Sequence, residues 1–207
     1  MLILKRNSEI LNLNVEAERF LRSSRDQVIG TPLVEYYPSE LRETVLAWLN
    51  QAYVSDAGCV TGEYILWGQR WSSTARRIPL KQGEDCLLCV SQQRTDLVGL
   101  PQLVEMIGRC RDRRSALGDL HVLTDRELEV AALIAASLTD SEIASELHRS
   151  IRTVHAHRRS IGEKLQMRRR SGVADLMRSR GLGALPSGHL AVRSSEGNSV
   201  LSTRFRS

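Results

Sequence analysis

The sequence predicts an α+β protein with an N-terminal antiparallel sheet and helices, a linker helix, and a C-terminal all-α domain of four helices that contains a helix-turn-helix. Three observations predict this division. Strand-like runs at 58–67, 70–80 and 85–93 are separated by polar, glycine-containing breaks, as in an antiparallel meander. Well-defined helix-start signals follow beyond residue 119. The stretch 181–207 is rich in Gly, Ser and Arg, which predicts a disordered tail.

The composition is that of a globular protein, with 207 residues, 42% hydrophobic residues and a net charge of +5. No apolar run approaches the roughly 18 residues that span a bilayer. The charges near the N-terminus follow a short apolar run, the reverse of a secretory signal, so we expect a cytoplasmic protein with reduced cysteines. No nucleophile–base pair, phosphate loop or metal cluster is visible, so the sequence does not predict an enzyme.

Residues 1–96 are expected to form the first domain. Two short strand-like runs flank a polar break at 6–8 and indicate a hairpin. Two stretches of helical spacing follow, and the stronger one covers 39–55 with Ser39 as its predicted N-cap. A hairpin, helices and then an antiparallel meander make a helix-covered sheet.

This order of elements resembles that of a PAS domain. Asn14, directly before the first helix, matches the asparagine that PAS domains often have after their second strand. Gly30 lies in an I-G-T-P segment that resembles a glycine-containing turn of the family, and W-G-Q-R-W at 67–71 matches a turn between late strands. The resemblance implies a PAS-like domain that senses a signal or serves dimerisation alone, and both alternatives stay open.

No cofactor is evident from the sequence. All five histidines lie beyond the PAS-like domain, which excludes haem held by histidine there, although ligation by a cysteine is left open. The Asn-Cys-Arg type motif of flavin photosensors is absent. Cys86 and Cys89 form a C-x-x-C inside a strand-like run without a second pair, so we interpret them as small core residues and predict no metal site. A small ligand in the PAS-like domain stays open.

Residues 97–118 are expected to form the linker helix. Apolar residues follow a three–four–three spacing at Leu97, Leu100, Val104 and Ile107. This spacing is typical of a short coiled-coil seam and, equally, of a helix that packs onto its own domain.

The domain predicted over 119–180 begins with two complete helix-start signals. Thr124 is an N-cap with Glu127 three residues later, which is a capping box. The same pattern recurs fifteen residues on, at Thr139, and Ser150 then caps a third helix. A short helix, a three-residue turn and a longer helix make a helix-turn-helix.

The longer helix has two different faces. At 100° per residue, Val154, Ile161 and Leu165 fall within about 40° of each other, so this side is expected to face the core. From 149 to 170, eight basic residues stand against one acidic residue. Such a basic face points to the phosphates of a nucleic acid. The outward arc consists of Arg152, His155, Ala156, Arg159 and Glu163.

The block from Leu123 to about Leu176 resembles the C-terminal helix-turn-helix of LuxR-type transcription regulators. Three motifs carry the resemblance: L-T-x-R-E-x-E-V from Leu123, E-I-A-x-x-L from Glu142 and S-x-x-T-V-x-x-H from Ser150. The following segment, 169–181, would be a fourth helix, on which such domains often dimerise.

The resemblance implies roles for residues of the third helix. Those implied to contact DNA phosphates are Thr153, Arg158 and Lys164. Those implied to face bases are His155, Ala156 and Arg159, and Arg152 joins them because it lies on the outward arc.

Four positions depart from the family pattern. His155 stands where lysine is usual, and Arg149 where a branched apolar residue is expected. Ser137 and Gln166 replace glycines that are common at helix ends, at a cost of about 1 kcal/mol each where the backbone requires positive φ.

Together these patterns predict a sequence-specific regulator of transcription that binds double-stranded DNA as a homodimer, with RNA polymerase as a further candidate partner. A signal sensed in the PAS-like domain would control it. The alternative is a regulatory adaptor that binds RNA polymerase or another regulator without direct DNA contact.

Overall fold

The computed structural model describes residues 1–80, 83–110, 112–167 and 169–187. These residues divide into two compact units. The first unit is Met1–Glu63 with Ser72–Gln92, and the second is Tyr64–Trp71 with the chain from Gln93 onward. The predicted domain limits near residues 96 and 118 stay predictions.

A five-stranded antiparallel sheet forms in the N-terminal part of the chain. Its strands lie in the order β2-β1-β5-β4-β3. Strand β1 pairs antiparallel with both β2 and β5, with Leu2 opposite Leu13 and opposite Cys89. This sheet, with helices between β2 and β3, is the PAS-like arrangement that the sequence predicts. The strands are β1 (Leu2–Leu4), β2 (Ile10–Leu13), β3 (Cys59–Leu66), β4 (Gln69–Ile78) and β5 (Cys86–Gln93).

Three α-helices connect β2 to β3. Asn14 caps the first, because its side-chain oxygen accepts the N–H of Ala17 at 3.1 Å. Ser39 is the first helical residue of the third helix rather than its N-cap; Pro38 holds the N-cap position with extended backbone, φ −49° and ψ 142°. The helices are α1 (Val15–Leu21), α2 (Arg25–Val28) and α3 (Ser39–Val54).

Cys86 and Cys89 of β5 are both buried, at 8% and 5% exposure, and neither forms a disulfide. Burial raises the pKa of Cys89 to about 12, so it stays a neutral thiol. The two residues therefore serve as small core side chains. Among the described residues no group of three or more His, Cys, Asp or Glu is placed to hold a metal ion.

The segment expected as one linker helix contains two helices after a short strand. These elements are β6 (Val98–Gly99), α4 (Leu100–Gly108) and α5 (Arg113–Leu117). Asp112 starts α5 as its N-cap, because its carboxylate accepts two backbone N–H groups. On α4, Leu100 and Ile107 are buried in the core of the second unit, whereas Val104 is 41% exposed. Packing within that unit accounts for Leu100 and Ile107, and the coiled-coil alternative stays a prediction.

The expectation of a disordered tail from residue 181 does not hold for residues 181–187. There β7 (Ala184–Leu185) pairs in parallel with β6. Leu182 and Ala184 are buried at 1% and 0% exposure, so a few apolar residues anchor the start of a segment whose average composition is polar. The rest of the predicted tail, 188–207, lies outside the described residues.

The C-terminal domain has the four predicted helices, α6 (Asp125–Ala135), α7 (Asp140–Glu146), α8 (Ile151–Lys164) and α9 (Arg170–Ser179). Helix α6 is central, since 130–135 is buried throughout and α8 and α9 both pack on it. Val154 and Ile161 of α8 face this core at 1% exposure each, as predicted, and Leu165 is half-buried. No helix in the described ranges has the length and apolarity to cross a membrane.

Candidate nucleic-acid interface

Both predicted capping boxes are present at the helices that position the interface. At α6, the N–H of Thr124 donates to Glu127 Oε2 at 2.7 Å, and the N–H of Glu127 donates to Thr124 Oγ1 at 3.2 Å. The same exchange joins Thr139 and Glu142 at α7. The hydroxyl of Ser150 accepts an N–H of the first turn of α8 at 3.1 Å. These caps fix the residues at which the helices begin.

Three helices of this domain end in a left-handed residue that is not glycine. Ser137, His148 and Gln166 have φ of 67°, 51° and 55°. The N–H of the residue that follows each of them donates to the carbonyl five positions earlier. The N–H of Arg149, for example, donates to the carbonyl of Ala144 at 2.8 Å. The left-handed His148 forms the turn of the helix-turn-helix. Both sites where a glycine is replaced, 137 and 166, do adopt positive φ.

The outward face of α8 is open to solvent. Arg152 and Arg159 make no ion pair within the described residues, so their charges are not neutralised by the surrounding fold. The small side chain of Ala156 lies between them along the helix and leaves room for close approach. All five members of the predicted arc are exposed, namely Arg152, His155, Ala156, Arg159 and Glu163.

A buried carboxylate holds the end of α8 against the start of α6. Glu127 is 4% exposed and, besides its cap, accepts from Ser160 Oγ and from Lys164 Nζ, both at 2.6 Å. Burial alone would raise the pKa of Glu127, but hydrogen bonds from Lys164, Ser160 and Thr124 lower it to about 2. Lys164 therefore lies in an internal ion pair, with 34% of its side chain exposed.

A second carboxylate, Asp140 at the start of α7, links three helices. Its Oδ1 accepts from Arg170 Nη1 of α9 at 2.7 Å, and its Oδ2 lies 3.0 Å from His155 Nε2 of α8. Arg158 of α8 also donates to Oδ2. Burial alone would raise the pKa of Asp140, but the hydrogen bonds and charges of Arg158 and Arg170 lower it. The carboxylate is therefore ionised near neutral pH.

The two predicted sets of contact residues differ in their exposure and in their ion pairs. In the base-facing set, Arg152, Ala156 and Arg159 are exposed and outside ion pairs in the described structure, while His155 is turned onto Asp140. In the phosphate set, Thr153 is half-buried and hydrogen-bonds to a cap hydroxyl. The other two phosphate candidates, Arg158 and Lys164, lie in the ion pairs described above.

Sequence reasoning missed Asp140 and Glu127 as the residues that position these basic side chains. Both are visible as acidic residues in the first turn of a helix. Their partners lie 18 positions away for Asp140 with Arg158 and 37 for Glu127 with Lys164. Helical periodicity relates residues three or four apart and does not report such pairs.

Comparison with known proteins places residues 121–177 in a family described as bacterial regulatory proteins, luxR family. The response regulator protein VraR of Staphylococcus aureus is 37% identical over 68 residues, and so is its counterpart in Staphylococcus epidermidis. The match covers 32% of this chain and 32% of each relative, so the chain spans about a third of the length of these relatives.

Two solved structures align with this chain at low identity. The Vibrio cholerae VqmA–ligand–DNA complex is 20% identical over 90% of this chain and 84% of that chain, with a TM-score of 0.47. A domain of an HTR-like protein from Haloarcula marismortui is 21% identical over 44% of this chain and 93% of that chain, with a TM-score of 0.40. Residues 121–177 of the present chain are a helix-turn-helix domain of the luxR family of bacterial regulatory proteins.

Proposed function

We propose that this protein is a DNA-binding regulator of transcription whose helix α8 enters the major groove. The observation that carries the proposal is the exposed face of α8, on which Arg152 and Arg159 stand outside ion pairs in the described structure. The major groove admits an α-helix, and a guanidinium group pairs bidentately with guanine O6 and N7. The luxR-family match over 121–177 supports the same role.

Specific contacts follow from positions on α8. Arg152, His155, Ala156 and Arg159 would face base edges. Thr153, Arg158 and Lys164 would contact phosphates; Arg158 and Lys164 do so with the N–H groups that their ion pairs leave free, since a guanidinium has five and an ammonium three. The side chains of Arg158 and Lys164 keep 32% and 34% exposure for this purpose.

The proposal includes a homodimer on half-sites about one helical turn of DNA apart. Helix α9 is the proposed dimerisation element of the DNA-binding domain. The PAS-like domain over 1–96, joined through 97–118 to the DNA-binding domain over 119–180, would receive the controlling signal, and RNA polymerase is the proposed downstream partner.

The test is a gel shift and footprint of the purified full chain on DNA from its own chromosomal neighbourhood at low and moderate salt. We expect a protected, dyad-symmetric site and an affinity that falls steeply with salt, because binding releases counterions from the phosphates. An adaptor would instead leave all fragments unshifted at low salt and bind RNA polymerase in a pull-down.

A further inference from the structure

A cleft of 320 Å³ lies where α8 and α9 meet. Its floor is apolar and includes Ile161 and Val173. No acidic side chain lines it among the residues that the structure describes. Its rim consists of basic side chains, His155, Arg158, Arg159, Arg169 and Arg170.

The charges around this cleft are only partly balanced within the fold. Asp140 accepts from Arg158 and Arg170 and so holds both at the rim. Arg159 and Arg169 are exposed and have no ion pair in the described part of the chain. The Asp140 carboxylate thus faces two guanidinium groups, while the guanidinium groups of Arg159 and Arg169 are not neutralised. The concave shape of the cleft concentrates the resulting positive potential.

Such a site suits a phosphate oxyanion, because guanidinium groups donate paired N–H groups to two phosphate oxygens. His155 and Arg159 belong both to the cleft and to the outward face of α8. An anion in the cleft would therefore lie beside the duplex that α8 contacts, which favours a DNA phosphate over a free ion.

We propose that this cleft binds one backbone phosphate of DNA through Arg169, beside the base-facing Arg159, and that Asp140 keeps Arg158 and Arg170 at its rim. The inference rests on the proposed DNA-binding function and adds a phosphate contact from the start of α9, outside the helix-turn-helix itself.

The test compares Arg169→Gln with Arg114→Gln in the full chain. Arg114 is an exposed arginine of α5 that does not line the cleft and has no ion pair in the described residues, which makes it a matched control. Dissociation constants for specific and random duplexes are measured by fluorescence anisotropy over a range of salt. For Arg169→Gln we expect the slope of log K against log salt to be shallower by about 0.9, which is the value for one phosphate contact.

We also expect affinity at moderate salt to fall by about five- to tenfold on both duplexes, the size of a single typical hydrogen bond, with the ratio between them unchanged. Arg114→Gln should match the wild type, and the melting temperatures of the three proteins should agree. If the wild type binds DNA and Arg169→Gln keeps its salt slope, the phosphate assignment is wrong while the proposed function stands. If the wild type binds no duplex at low salt, the proposed function itself fails.

Titration with inorganic phosphate, followed by the melting temperature, separates the two sources of the anion. Stabilisation by phosphate that Arg169→Gln abolishes, together with an unchanged salt slope on DNA, would identify a site for a free anion and overturn the assignment to the DNA backbone. A shallower salt slope in Arg169→Gln supports it.

Discussion

Asp140 of α7 and His155 of α8 face each other across the helix-turn-helix, with Oδ2 3.0 Å from Nε2. Nε2 of His155 thus faces the Asp140 carboxylate, and Nδ1 is the ring nitrogen left for another partner. The first helix of the motif thereby constrains the orientation of a proposed base-facing residue on the second.

The first prediction concerns Asp140→Asn. The amide keeps the shape of the side chain but loses the charge that attracts Arg158 and Arg170, so the free energy of unfolding should fall by about 1–3 kcal/mol. The binding preference for one base pair at the position opposite His155 should also become weaker. Competition with operator duplexes that differ at this single base pair measures that preference. Asp175→Asn is the control, because the Asp175 side chain is 74% exposed and its contact with Arg178 is long, at 3.5 Å. Equal effects of the two substitutions would refute a positioning role for Asp140.

The second prediction concerns acid stability and Glu127. Its folded-state pKa of about 2 lies below its ordinary value of 4.5. As pH falls, the Glu127 carboxylate therefore binds its proton at a higher pH in the unfolded chain than in the folded one. Its stabilisation of the fold is present above about pH 4.5 and is lost as pH falls toward 2. Its size is about 3 kcal/mol, from 1.36 kcal/mol for each unit of pKa.

Urea unfolding of Glu127→Gln at several pH values tests this account. The variant should be less stable than the wild type at pH 7, because Lys164 loses its charged partner, and the difference should shrink toward pH 2. Glu163→Gln, at an exposed position of α8, is the matched control and should follow the wild type. A difference between Glu127→Gln and the wild type that does not vary with pH would contradict the pKa assignment.

The third prediction concerns the left-handed residue after α8. Gln166→Gly should raise the free energy of unfolding by about 0.5–1 kcal/mol, because glycine adopts positive φ without a steric penalty. Gln166 is exposed with φ 55°, so little side-chain packing is lost. Gln166→Ala removes the same side chain without relieving the backbone and should give no gain in thermal melting. A gain of equal size in both variants would locate the effect in the side chain instead.

The fourth prediction concerns Arg159. If it pairs bidentately with a guanine, Arg159→Ala should cost about 1–3 kcal/mol on the specific site. Anisotropy titrations on specific and random duplexes measure this, and the loss should be much smaller on random DNA. An equal loss on both would remove Arg159 from the base-reading set and make it a phosphate contact.

The features that the sequence predicts well are set by residues close together in the chain. The capping boxes at Thr124 and Thr139 need only a partner three positions on, and the two faces of α8 follow from its helical period. The left-handed sites at 137 and 166 are equally local. For these reasons the four helices of the domain and the exposed face of α8 were predictable.

The features that were not predicted depend on contacts between distant residues. The anchoring of Leu182 and Ala184 depends on a strand pairing with β6, more than eighty positions earlier. The ion pair of Glu127 with Lys164 requires the packing of α8 on α6, which no local pattern specifies. Local spacing also predicted a single linker helix, whereas the structure has two helices there and Asp112 caps the second.

The most direct test of the central claim is photo-crosslinking from the outward face of α8. A photo-crosslinking amino acid replaces Ala156, which is exposed in the middle of that face, and the same amino acid in place of the exposed Arg114 is the control. With the full chain bound to its footprinted site, we predict crosslinks from position 156 to bases within each half-site and none from position 114. Stable DNA binding without any crosslink from position 156 would contradict the entry of α8 into the duplex.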